Sequence, residues 1–364
     1  MRIGLTIRTL DGTTRELSVV DGHFRAPTEP VDVEVDSAAW WAVPGLADCH
    51  AHLGGGAHDY DGDSANVLER ARSAAWAQLE GGVFLVADKG AGDDITLQVL
   101  HEPPERRPEL QMAGKILTNP GGYYNGFARE VDEHELLDAV RDVAGGGATW
   151  VKLIGDWPRK GVGAVTNFSE QAMHQAVQVA HEAGCRVAIH AAAPHTSTVA
   201  VAAGIDSIEH GLFLTEDDLA ALGARGGAWV PTIAAMEAIR DMLGAESSGG
   251  KLFDQGLTNV RELLAGAPAM GVNVLAGTDI EVPHGGVATE AIRMGDYGLA
   301  ASDVVTATTT AAYDYLGSNH TFTEGGHADV LFFDADPRED LRILERPILG
   351  LRHGQAILGA SALN

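Results

Sequence analysis

The sequence predicts an α/β fold: a (β/α)8 TIM barrel with a small β-sandwich domain built from both ends of the chain. Three observations carry that expectation. Short apolar runs alternate with helical patterns through the middle of the chain, eight times between Gly45 and Gly277. Both ends are instead rich in short strand patterns separated by turn dipeptides. Metal-ligand-type side chains, mostly histidines, collect at the C-terminal ends of the apolar runs, the rim where such barrels carry their chemistry.

At the N-terminus, Arg2–Leu10 and Arg15–Val20 read as a hairpin joined at Asp11-Gly12, and Val31–Val35 alternates valine with acid as a half-buried strand does. Barrel strands are expected at Gly45–His52, Val83–Asp88, Met112–Thr118, Thr149–Ile154, Arg186–His190, Ser207–Glu209, Ala228–Pro231 and Asn273–Gly277. Helical patterns between them include Ala65–Gln78, Asp132–Val143, Ser169–Ala183, Glu216–Ala224 and Leu257–Ala265. Gly244–Gly250, small and polar, is expected to be a flexible loop after the seventh strand. At the far end Ala328–Phe333 reads as a strand, and Leu349–Arg352 and Ala356–Leu358 flank a turn at His353-Gly354. The expected division is residues 1–43 plus 322–364 for the sandwich and 44–321 for the barrel. A doubly wound sheet is disfavoured, because no Gly-x-Gly-x-x-Gly follows the first barrel strand.

The 364 residues are 45% hydrophobic, enough for a large core. Lys and Arg number 25 against 51 Asp and Glu, a formal charge of −26, which opposes nucleic-acid phosphates and anionic membranes alike. Two cysteines, Cys49 and Cys185, give no disulfide framework. With no signal-like or membrane-spanning stretch, the expectation is a cytoplasmic protein acting on a small molecule, with homo-oligomerisation left open.

The chemistry gathers at the strand ends. Strand one ends in His50-Ala51-His52, whose imidazoles two apart point the same way. Strand five ends in His190, strand six leads into His210, and strand eight into Thr278-Asp279. Four imidazoles and a carboxylate suit a divalent metal, zinc first, then manganese, cobalt or iron. Lys152 on strand four cannot ligate as an ammonium. Buried, it titrates low, and its neutral amine can take up CO2 to form a carbamate that bridges two metals; a stem merely packed in the barrel fits the spacing equally. The histidines away from strand ends (His23, His58, His101, His134, His174, His181, His320, His327 and His353) read as structural.

These segments resemble the amidohydrolase superfamily, and within it the imidazolonepropionase-like and prolidase-like branch. The matching stretches are Pro44 to Leu53, Val151-Lys152-Leu153, Val187 to Ala191, Gly204 to Gly211, Ala276 to Asp279, and the tail Gly325 to Leu331 with Asp334-Ala335-Asp336-Pro337. The resemblance implies a barrel flanked by a β-sandwich. It implies that His50, His52 and Asp279 hold one metal, that His190 and His210 hold the second, and that a carboxylated Lys152 bridges them. It implies hydrolysis of an amide or peptide C–N bond by a metal-activated water, with Asp279 as general acid and base. A lactonase or esterase on the same site, and a mononuclear imidazolone hydrolase or deaminase, are the enzymatic alternatives. A metal-free scaffold is disfavoured, since all six ligand positions hold ligand-capable residues.

Substrate contacts are sought on the rim loops: Tyr123 and Tyr124 after strand three, Trp157 after strand four, His195 after strand five, His284 after strand eight. The strand-three loop lacks the histidine that prolidase-like members often place there, which argues against Xaa-Pro specificity. Lys89 and Arg159 are the cations nearest strand ends, candidates to hold a substrate carboxylate, although Arg159 reads rather as exposed charge. Asp48 is a candidate to orient a ligand histidine. Cys49, alternating with the histidine pair, should face the helix layer, as should Cys185.

Overall fold

The computed structural model describes residues 1–27, 30–159 and 163–363. The expected sandwich includes residues 28, 29 and 364, and the expected barrel residues 160–162; these lie outside the described residues.

Eight barrel strands run parallel: Leu46–Ala51, Val83–Asp88, Glu109–Met112, Trp150–Ile154, Arg186–Ala191, Ser207–His210, Ala228–Val230 and Asn273–Val274. The barrel closes where Cys49 N–H donates to Ala276 O at 2.8 Å and Thr278 N–H to His50 O at 3.0 Å. Gly277 permits this closure, because a Cβ there would stand 2.6 Å from both His50 Cβ and Val230 Cγ1. Strand three differs from expectation. It begins at Glu109, breaks after Met112, and resumes as Leu117–Thr118 paired with strand four; Ala113-Gly114, with Gly114 at φ +66°, makes the break.

The helices pack outside through apolar stripes, as in Ser64–Glu80, which buries Val67, Ala71, Ala74, Ala75 and Leu79. Two boundaries move. The helix expected at Leu257 begins at Ser248, because Ser247 caps it by accepting from Gly250 N–H at 2.9 Å. The last three residues of the expected Gly244–Gly250 loop are therefore helical. The helix expected from Asp132 starts at Leu136.

Both termini form two four-stranded sheets. One holds Ile3–Arg8, Thr14–Val20, His23–Arg25 and Val33–Val35; the other joins Trp41–Val43 to Val330–Phe333, Leu349–Arg352 and Gln355–Leu358. Their shared core contains Ile3, Leu5, Ile7, Phe24, Val330, Phe332, Leu349 and Leu351. Among the described residues no helix is long and apolar enough to cross a membrane.

Candidate metal centre

The alternation expected on strand one fails usefully. Asp48 pairs with Val86 and Ala51 with Asp88, so strand one carries one more residue than its partner, a β-bulge. Cys49 consequently faces inward, in a cluster with Leu85, Ala87, Trp150, Ala188 and Val230, rather than the helix layer. His50, the next residue, also reaches the site. Cys185 does lie with the helix-layer core, its thiol donating to Ala148 O at 3.1 Å. His210 and Asp279 are aimed by backbone in the left-handed region, at φ +65° and +57°.

His50, His52 and Asp279 offer ligand atoms that all lie within 4.8 Å of one another, and all three residues are buried. His50 Nδ1 stands 2.7 Å from Glu209 Oε2, a close charge contact set off the ring N–H direction. His52 Nδ1–H donates to Gly90 O at 2.5 Å. The oxygens facing each Nδ1 favour a proton there, which leaves both Nε2 atoms bare and facing each other at 3.2 Å. Two lone pairs at that separation repel unless a cation lies between them. A shared proton would also serve, and Asp279 does raise His52 against the effect of burial. That account leaves two features over. Asp279 Oδ2 also faces His210 Nε2, at 3.9 Å. Among the described residues the buried Lys152 Nζ has no hydrogen-bond partner, a cost of about 1–3 kcal/mol for an amine left alone.

Burial lowers Lys152 to about 8, although Glu209 and Asp279 pull the other way. Burial likewise lowers His50 to about 4, helped by Lys152. Asp279 is held well below the ordinary carboxylate range: burial would raise it, but His50, His52 and His210 outweigh that. The residues present thus fit a divalent cation site. Imidazoles with two facing Nε2 atoms, an ionised carboxylate and a buried amine meet in one place.

His210 Nδ1 lies 2.6 Å from Thr232 Oγ1, whose own proton goes to Pro231 O at 2.8 Å, so His210 donates and keeps Nε2 bare. His190 packs against His210 with ring centroids 4.6 Å apart, and its Nε2 is 3.7 Å from Asp156 Oδ1. Asp156 is held in turn by the N–H groups of Ala192 and Ala193.

Several supporting residues escaped the sequence reading. Glu209 sits at the hub, touching His50, Lys89 Nζ at 3.3 Å and Ser207 Oγ at 2.6 Å. Its signal was available: a carboxylate two residues after Ser207 on an inward face needs a buried partner. Glu290, fully buried, accepts from Ile233 and Ala234 N–H and braces the turn that carries Thr232.

Other expectations are corrected. Lys89 is not free for a substrate carboxylate; it is buried on Glu209 with its ammonium 3.6 Å from the Trp150 ring centroid. Arg159 is not exposed charge; it is half-buried and donates to Asn119 Oδ1 and Asn167 Oδ1. Asp48 orients no imidazole. It accepts from Thr278 Oγ1, Thr278 N–H, Gln78 and the His50 backbone, stitching strand one to strand eight. His195 is exposed at the start of the helix Thr196–Ala202. His284 contacts Gln78 Nε2 at 3.4 Å, on the loop whose Gly285 N–H also donates to Gln78.

Tyr123, Tyr124 and Trp157 form a mutual aromatic group with centroids 4.6–5.0 Å apart, and Trp157 reaches His190 at 6.2 Å. Asn167 braces it. Its amide donates to Gly122 O and Ile154 O, and its carbonyl groups receive Asn119 and Arg159.

Comparison with known proteins bears on the family and the fold. The chain is 33% identical over 360 residues to an uncharacterized protein of Mycobacterium tuberculosis, covering 95% of this chain and 92% of that one. It is 25% identical over 357 residues to ochratoxinase of Aspergillus niger, covering 84% of this chain and 72% of that protein. A crystal structure of a Xaa-Pro dipeptidase with bound methionine superposes with a TM-score of 0.82 at 20% identity, covering 98% and 99% of the two chains, and shares the fold. The amidohydrolase family model matches residues 41–357, and the chain belongs to that family.

Proposed function

We propose that this amidohydrolase cleaves the amide C–N bond of a small molecule that carries an apolar or aromatic group beside the scissile carbonyl. The ligands in this reading are His50, His52, His190, His210, Asp279 and a carboxylated Lys152, holding two divalent metals, zinc first. When bound, the metals supply a water acidified to near-neutral pH and Lewis-acid polarisation of the carbonyl. The protein supplies the rest. Asp279, kept ionised by its three histidine neighbours, accepts a proton at its carboxylate and returns it to the leaving nitrogen. Glu209, Gly90 O and Thr232 hold His50, His52 and His210 in the tautomer that leaves Nε2 bare. Tyr123, Tyr124 and Trp157 wall the side next to His190 with rings, which suits an apolar substituent and excludes water there. The names of similar proteins, ochratoxinase and Xaa-Pro dipeptidase, are consistent with hydrolytic chemistry.

The observation that carries the reading is the approach of two imidazole Nε2 atoms to 3.2 Å beside Asp279, with the Lys152 amine buried and without a hydrogen-bond partner among the described residues. The test is metal content per chain by plasma mass spectrometry, on protein purified without chelator in bicarbonate. It is paired with amine release from N-acyl derivatives of phenylalanine and of alanine. Two metals and preference for the aromatic series support the proposal. One metal with an unmodified Lys152 transfers it to the mononuclear alternative, and a folded, metal-free protein refutes it.

A further inference from the structure

We propose that the β-sandwich carries a second metal site, formed by the imidazoles of His327 and His353 with the His23 ring packed beside them, that takes a divalent transition metal such as Zn2+. None of the three belongs to the barrel rim. They come from three separate segments: His23 opens the strand His23–Arg25, His327 precedes Val330–Phe333, and His353 occupies the tip between Leu349–Arg352 and Gln355–Leu358. His23 and His327 face each other as an isolated antiparallel bridge pair.

His327 Nδ1 and His353 Nδ1 lie 3.1 Å apart. Two imidazole nitrogens bound to one zinc at about 2.0–2.1 Å stand roughly 2.9–3.4 Å from each other, from octahedral to tetrahedral angles, so the pair already has a chelating separation. The His23 ring is 4.8 Å from that of His327. His23 Nδ1 donates to Asp21 O at 2.8 Å, so His23 flanks the pair rather than joining it. The His353 backbone is locked at φ +48°, and its N–H donates to Asp329 Oδ1 at 2.6 Å. The other oxygen of Asp329 is paired with Arg352. A metal here would tie the segment that enters Val330–Phe333 to the hairpin tip at His353-Gly354.

The test is zinc titration of the full-length protein by isothermal calorimetry, with unfolding midpoints recorded with and without zinc. The comparison is wild type against His327→Ala and His353→Asn. Asparagine tolerates the left-handed backbone of position 353 while removing the imidazole, so this variant keeps the turn. His134→Ala is the control, because His134 sits with Asp132 and Glu135 in an exposed group of ligand-type atoms. The expected result is one zinc more per chain in wild type and His134→Ala than in either of the other variants, or at least tenfold weaker binding of that zinc in them. The zinc-dependent rise in midpoint should vanish with it, and turnover should be unchanged. Equal stoichiometry and affinity in wild type and His353→Asn would overturn the proposal, leaving the contact as a hydrogen bond between two neutral rings. So would an extra zinc lost only in His134→Ala.

Discussion

Replacing Glu209 by glutamine tests the reasoning about the barrel most directly. The carboxylate is fully buried, and although burial pushes it up, Lys89 and His50 hold it well below the usual carboxylate range. At 3.3 Å and an effective dielectric of about 20, the pair with Lys89 is worth roughly 5 kcal/mol of Coulomb energy. Glutamine keeps the volume and its amide oxygen can still accept from Ser207 and Lys89, but it leaves the buried Lys89 ammonium without the negative charge that offsets it. Breaking a buried pair in this way costs about 3–5 kcal/mol. Glutamine also removes the charge opposite His50 Nδ1, so the ring loses the bias that keeps Nε2 bare, and metal affinity should fall about 10–100-fold.

Two measurements separate these effects: denaturant unfolding of metal-free protein, and metal affinity by competition with a chelator. Adding Lys89→Met to Glu209→Gln removes the stranded charge. The double variant should recover most of the lost stability and none of the lost metal affinity. If Glu209→Gln binds metal within twofold of wild type and unfolds at the same denaturant concentration, Glu209 does not orient the site and the argument from tautomers fails.

Thr232→Val leaves His210 Nδ1 without its acceptor and should lower metal affinity about tenfold with little change in fold, read by the same chelator competition. Lys152→Ala should lose metal and turnover, both partly restored by millimolar short-chain carboxylic acids; full metal content and wild-type rate in that variant would exclude a bridging role. Trp157→Ala should raise KM for aromatic N-acyl substrates more than for aliphatic ones and leave metal content unchanged, as steady-state kinetics would show. Burial raises the Glu290 carboxyl from its ordinary value to about 8, so the folded chain holds a proton there that the unfolded chain releases near pH 4.5. Its contribution to stability is complete below pH 4.5 and is lost as pH rises through 8, a change of a few kcal/mol. Unfolding free energies from pH 5 to 9 should show this slope in wild type and a flatter profile in Glu290→Gln.

Much of this architecture was legible because barrel strands announce themselves as short apolar runs, and because His, Lys and Asp are conspicuous at their ends. What stayed hidden was local backbone geometry. The bulge between Asp48 and Ala51 has no signature in Asp-Cys-His-Ala, so strict alternation sent Cys49 the wrong way. Lys89 and Arg159 were read by their charge, but their partners, Glu209 in one case and Asn119 with Asn167 in the other, are distant in sequence. The run Ser247 to Gly250 looked like a loop because serine and glycine are poor helix formers. One serine cap and the apolar stripe that follows overrode that preference.

The hidden geometry is also where the site concentrates its strain. His210, Thr232 and Asp279 all sit in left-handed backbone without being glycine, at roughly 1–2 kcal/mol each. Each has a buried clamp. Trp229 Nε1 donates to His210 O at 2.9 Å, Glu290 takes the two N–H groups after Thr232, and Asp48 grips Thr278 beside Asp279. Their common effect is to hold two proposed ligands, and the threonine bonded to one of them, in conformations the chain would otherwise leave. A strand that simply ended would point its last side chain by alternation alone. Turning the chain sharply one residue later lets Glu209 and His210, adjacent in sequence, both serve the same centre, one as the partner of His50 and the other as a ligand candidate. The strand-one bulge likewise brings Cys49 and His50 inward together, one packing the barrel floor and the other facing Glu209. Removing a clamp should therefore disturb aim before it disturbs fold, which is why the variants above are read by metal affinity as well as by unfolding.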